Sequence, residues 1–173
     1  MITEKELTKQ LMKGDSTKLR WVNWLIVRVM NKEQRVRYAI FAAEQVLKFY
    51  EKKFPSDTRP RNAIEAAKTW LAQPTEENRA AADTASTYAA SASAYAIYAE
   101  DDMAAAYAAA AAASAAYAAY AEDPVYAEDA SSAAASSSAA YVYVWAEKAR
   151  KAMLLKILTY GLSLLTSGIN SLS

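Results

Sequence analysis

MAAAYAAAAAASAAYAAYAED, residues 103–123, decides the fold. From Ala104 to Ala121 this run holds only Ala, Tyr and one Ser. Ala is the best helix former, because it loses no side-chain entropy and hides no polar group. The run therefore has no competing local structure. Helices faced with Ala can approach at the short end of the usual ~8–10 Å interaxial range. Each buried Ala contributes only about one methyl of transfer free energy. The tyrosines are then expected to supply most of the buried area here. The surroundings are of the same kind: residues 80–146 contain no Lys, Arg, Leu or Gly.

A short repeat marks the turns. Tyr95-Ala-Ile-Tyr98-Ala-Glu-Asp101 recurs as Tyr117-Ala-Ala-Tyr120-Ala-Glu-Asp123, and Tyr126-Ala-Glu-Asp129 follows. Each Glu-Asp reads as the end of one helix and the cap of the next, since an Asp carboxylate accepts the orphan N–H groups of a first turn. Pro124 suits a first helical position. The expected helices are Glu76 to Glu100, Asp102 to Ala121, and one from Pro124 onward, antiparallel because the connections are short.

Working outward, Thr3 to Lys13 reads as a helix with a Thr3/Glu6 capping box, ended by Gly14. Lys18 to Met30 carries Trp21, Trp24, Leu25, Val27 and Val29, so it is expected to be central, with both Trp in the core. Glu33 to Lys53 follows a break near Asn31. Residues 54–59 form a loop, and Pro60 opens a helix to Ala72. Thr75 caps the first Ala-rich helix. The last helix is expected to be weakest over Ser131 to Ser138 and to end near Gly161.

The fold class expected is all-α: an antiparallel helical bundle, one domain over residues 1–173, with closely packed Ala-rich helices. Its parts are a basic, aromatic-rich 1–79, an Ala/Tyr-rich 80–146, and a C-terminal helix and tail, 147–173. Charge follows these parts, with 16 basic and 10 acidic side chains, then 8 acidic and no basic, then 4 basic and 1 acidic. The basic ends are expected to pack around the acidic middle. There is no Cys and no His. That removes disulfides, thiolate metal sites and the commonest general base, leaving a magnesium–carboxylate site as the only metal chemistry. The start of the chain does not read as a signal peptide, so a cytoplasmic protein is expected. Residues 103–121 could span a bilayer by length, but they lack the Leu, Ile, Val and Phe that drive insertion.

The segment Arg37 to Leu47, and above all Asp57-x-Arg59-Pro60-Arg61-x-Ala63-Ile64-Glu65-Ala66-Ala67-x-x-Trp70, resembles the Imm-5-like putative immunity proteins. The Ala-rich half resembles that family too, and Ala/Tyr-rich reading frames of the same type in bacteriophages. The resemblance covers roughly residues 33–160. It implies an all-helical protein linked to polymorphic toxin systems, acting by binding and neutralisation.

Three function classes are weighed. Catalysis has only the carboxylate pairs at Glu100–Asp102 and Glu122/Asp123, which capping already explains. Ice binding needs regular Thr, and residues 88–146 have none. Binding or inhibition fits best: a non-enzymatic protein of a bacterial conflict system that neutralises a toxin or effector. The alternative is a phage anti-defence protein that sequesters a cyclic or NAD-derived nucleotide signal. Candidate ligand-binding residues are Arg59 and Arg61, beside a helix start that attracts anions. Asp57 and Thr58 could instead cap this helix start, Glu65 could pair with Arg61, and the acidic helix ends at Glu100–Asp102 or Glu122–Asp123 are further candidate partners. Tyr88, Tyr95 and Tyr98 complete the set, lying within about 80° on one helix; such a stripe more often fills a core. The expected partner is a protein toxin or effector, or a small anionic nucleotide. No cofactor, metal, membrane or nucleic-acid partner is expected, and self-association is left open.

Overall fold

The computed structural model describes residues 16–98, 102–141 and 147–170. The expected helix over residues 3–13, the acidic pair at 100–101 and the aromatic residues 143–145 lie outside the described residues. Seven helices and no strand are found among the described residues: α1 (Ser16–Val29), α2 (Lys32–Lys53), α3 (Arg59–Ala72), α4 (Glu76–Tyr98), α5 (Met103–Tyr120), α6 (Pro124–Tyr141) and α7 (Glu147–Asn170). The all-α class stands, and the breaks before α2, α4, α5 and α6 fall where they were read, but the one long last helix expected from Pro124 to Gly161 is two helices, α6 and α7, with residues 142–146 outside the described residues. Asn31 forms a reciprocal capping box with Gln34. Thr75 Oγ1 accepts from Asn78 N at 3.2 Å. Asp102 accepts from Ala105 N at 2.9 Å, and Asp123 from Val125 N at 2.8 Å.

The central helix is α5, not α1. α2, α3, α4 and α6 all pack against α5, and its alanines are buried nearly all the way round. A helix without a polar face needs neighbours on every side. One Cβ per residue lets those neighbours approach closely enough for hydroxyls to reach the next backbone. Ser86 donates to Ala113 O at 3.0 Å and Ser93 to Ala106 O at 2.9 Å, which sets α4 antiparallel to α5. Ser131 donates to Arg35 O at 3.2 Å and Ser138 to Ala42 O at 2.7 Å, which sets α6 parallel to α2. Both ladders step by seven residues on each helix. Ser131 and Ser138, in the stretch expected to be the weakest of its helix, thus fasten α6 through buried bonds.

Two further expectations are corrected. Trp21 and Trp24 are exposed, because the face of α1 that packs is Leu19, Asn23, Ile26 and Val27. Gly161 does not end a helix. It lies inside α7, where an added Cβ would sit 2.7 Å from Tyr38 Cε2 and 3.1 Å from Ile26 Cγ2. The missing side chain admits the buried Tyr38 ring. Its hydroxyl donates to Asn23 Oδ1 at 2.6 Å, and Asn23 Nδ2 donates to Ser132 Oγ at 3.0 Å. This chain of bonds joins α1, α2 and α6. Charges cross the fold as well. Arg35, buried, donates to Val27 O at 2.8 Å and meets Glu128 at 2.7 Å, and Lys53 lies 3.8 Å from Asp102.

Two stability measurements follow. Ala112→Leu should cost about 1–3 kcal/mol by overpacking the α5 seam, with Ala110→Leu, at a half-buried position, costing less in urea unfolding. Gly161→Ala should also destabilise, by about 1 kcal/mol net. Its clash with a hydrogen-bonded ring outweighs the helix-propensity gain of roughly 1 kcal/mol.

Candidate functional site

The loop between α2 and α3 is built around one carboxylate. Phe54 N donates to Tyr50 O at 2.8 Å and Asp57 N to Phe54 O at 3.1 Å, closing the turn. Asp57 Oδ1 then accepts from Arg59 N at 3.1 Å and from Arg59 Nε at 2.9 Å. Asp57 Oδ2 accepts from Arg59 Nη2 at 2.6 Å and from the buried Tyr50 hydroxyl at 2.6 Å. This is a two-pronged guanidinium–carboxylate pair with a third donor beneath it. The Arg59 hydrogen bond holds the Asp57 carboxyl down at about 2, against the opposing effect of burial. Burial, then the bond to Asp57, pushes the Tyr50 hydroxyl well above its ordinary range.

The clamp fixes Arg59 at the edge of a groove between α3 and α4. The groove measures about 280 Å³ and is lined by Arg59, Asn62, Ala81, Thr84, Ala85 and Tyr88. Small residues on α4 leave the space, and Tyr88, 59% exposed, stands at its wall. Of the five residues singled out from sequence, Arg59 and Tyr88 share this groove. Tyr95 meets the Phe54 ring edge-on at 5.9 Å, and Phe54 lies 5.0 Å from Tyr50, so Tyr95 joins the corner through rings. Arg61 does not line the groove; its Nε donates to Glu51 at 2.6 Å. Glu65 pairs with Lys68 rather than Arg61. Tyr98 is 88% exposed and lines none of it. The tyrosine stripe therefore does not fill the core. α4 packs through Ala82, Ser86, Ala89, Ala92 and Ala96, a seam too close for rings.

Asn62 and Thr84 went unnoticed in the sequence. Asn62 lies three residues after Arg59 and Thr84 four before Tyr88, so helical spacing from the chosen residues would have reached both. The corner offers hydrogen bonds rather than net charge, because Arg59 is matched by Asp57 and Arg61 by Glu51. It can hold a polar or acidic group against an aromatic ring. Of the carboxylates weighed for catalysis, those described have structural partners: Asp102 and Asp123 cap helices, and Glu122 meets Arg79 at 3.2 Å. Among the described residues no group of acidic side chains is arranged to hold a metal ion. No helix there is long and apolar enough to cross a membrane.

The sequence model of the family described as Imm-5 like putative immunity protein matches residues 26–153, and the chain belongs to that family. The match includes α2 to α6 and the whole corner. The family name suggests an immunity protein and, with it, a protein partner and a non-enzymatic role. No curated protein and no solved structure matches the chain.

The clamp has a pH signature. Asp57 has a depressed folded-state pKa, so its contribution is present above the unfolded value near 3.8 and is lost as pH falls toward about 2. Asp57→Asn should cost about 1–2 kcal/mol at neutral pH, after allowance for the partly exposed Arg59. The gap to wild type should close between pH 4 and about 2 in thermal melts.

Proposed function

We propose that this protein is a non-catalytic binding protein of a bacterial conflict system, which neutralises a toxin or effector protein by docking it at the α3–α4 corner. The observation that carries this reading is the Asp57–Tyr50 clamp on Arg59. It presets a guanidinium at the mouth of a groove walled by the exposed Tyr88. Preorganised arginine and tyrosine are the side chains that dominate protein-binding surfaces, because little rotamer entropy is lost on contact. Family membership supports the same reading. The balanced charge of the corner favours an acidic side chain over a multiply charged phosphate. It ranks nucleotide sequestration second.

The test is co-expression with toxic effectors of the same conflict system, scored for rescue of growth and followed by titration of the purified pair. Tyr88→Ala should weaken binding by about 1–2 kcal/mol, roughly tenfold, and Thr84→Glu should block the groove. Both positions are exposed, so melting should be unchanged. Rescue that survives Thr84→Glu would place the contact elsewhere. Calorimetric binding of a cyclic or NAD-derived nucleotide, abolished by Thr84→Glu, would replace this reading with the sequestration one.

A further inference from the structure

A guanidinium has donors on three nitrogens, and Asp57 occupies only one side of Arg59. Asp57 Oδ1 accepts from Arg59 N and Nε, and Oδ2 accepts from Arg59 Nη2 and the Tyr50 hydroxyl. A carboxylate has about four acceptor sites, so none is left on Asp57 for a ligand. Arg59 Nη1 makes no hydrogen bond among the described residues. Its N–H groups are what the clamp leaves for the groove that Arg59 lines.

The charge of the groove is set in the same place. Arg59 is the one charged residue of its lining, beside Asn62, Ala81, Thr84, Ala85 and Tyr88. The Asp57 carboxylate stands directly behind it, 2.6 Å from Nη2. The bond to Arg59 holds the Asp57 carboxyl down at about 2, so it is ionised throughout the neutral range. An incoming anion therefore meets free N–H donors but no net positive charge. A carboxylate, with a single charge, can share the guanidinium with Asp57. A phosphate monoester carries a charge of about −1.5 to −2 near neutral pH, and the excess finds only the Asp57 carboxylate behind the donors.

We infer that Asp57 determines the specificity of the α3–α4 groove: it positions Arg59 to take one carboxylate of the partner protein, and its charge excludes phosphate-bearing ligands. This role for Asp57 rests on the corner being the docking site, and it names the residue that makes the corner select one anion over the other.

Two probes that share a ring and differ in head group test it: phenylacetate and phenyl phosphate. Each is titrated into the purified protein near neutral pH and followed by the backbone amide resonances of Arg59, Asn62, Thr84 and Tyr88. The wild type should bind phenylacetate more tightly than phenyl phosphate. Asp57→Asn should reverse that order, tightening phenyl phosphate by about tenfold or more, as one unit charge at contact distance near a surface does. Asp57→Ser, which keeps an acceptor for Arg59 N without the charge, should reverse it as well. Tyr50→Phe loosens the clamp and keeps the charge, so it should weaken both probes together without changing their order. That contrast separates the charge of Asp57 from a merely structural role. A wild type that prefers phenyl phosphate, or that binds neither probe, overturns the assignment. So does the wild-type order in folded Asp57→Asn and Asp57→Ser. If that order persists while growth rescue is still blocked by Thr84→Glu, the charge filter falls and the docking reading stands. If the order reverses while rescue survives Thr84→Glu, the filter stands as a property of the groove and the docking reading falls.

Discussion

The rest of the structure depends on how closely helices can approach α5. Its buried side chains end at Cβ, so four neighbours press against it, and the distance between axes is set by backbone rather than by side-chain size. Little transfer free energy comes from any one Ala. Cohesion comes instead from the number of close contacts and from hydroxyls that reach across to backbone carbonyls on the next helix. Ser86, Ser93, Ser131 and Ser138 are placed every seventh residue on their helices, so each ladder fixes a direction and a register together. No buried side-chain polar atom among the described residues lacks a partner.

That closeness explains where the large side chains go. Rings cannot enter an Ala–Ser seam, so Tyr88, Tyr95 and Tyr98 are turned outward from α4. The large core residues lie on α1, α2, α3 and α7 instead. Tyr38 fits because residue 161 has no side chain, and Phe41 stacks on Tyr160 at 4.0 Å. The α3–α4 groove is a product of the same rule. A helix that spends its inner face on small residues presents small residues on its flank as well, and the Arg59 clamp stands beside that space.

Four helix starts were legible because they carry local chemistry: Asn31 with Gln34, Thr75 with Asn78, Asp102, and Asp123 before Pro124. Arg59 stood out for the same reason, since the residues around Pro60 mark a helix start. Asp57 was read as a cap of that helix start, and its carboxylate does accept from Arg59 N, but its pairing with the Arg59 guanidinium was not read. Glu51 against Arg61 was not legible, because ten residues of helix end and loop separate them and only the folded turn closes the gap.

The sequence by itself determined that this chain is all-α, where most of its helices begin, and that an Ala-rich segment must be packed closely. Those properties are local, set by backbone propensity and by capping within a few residues. Which helix lies at the centre was decided only by the tertiary structure. Trp21 and Trp24 make α1 look central by hydrophobicity, yet α5 takes that place because a small surface can be surrounded and a large one cannot. Inside and outside are likewise tertiary properties for Gly161 and the tyrosines of α4. A glycine reads as a stop and a tyrosine as core until the neighbouring backbone shows how much room there is.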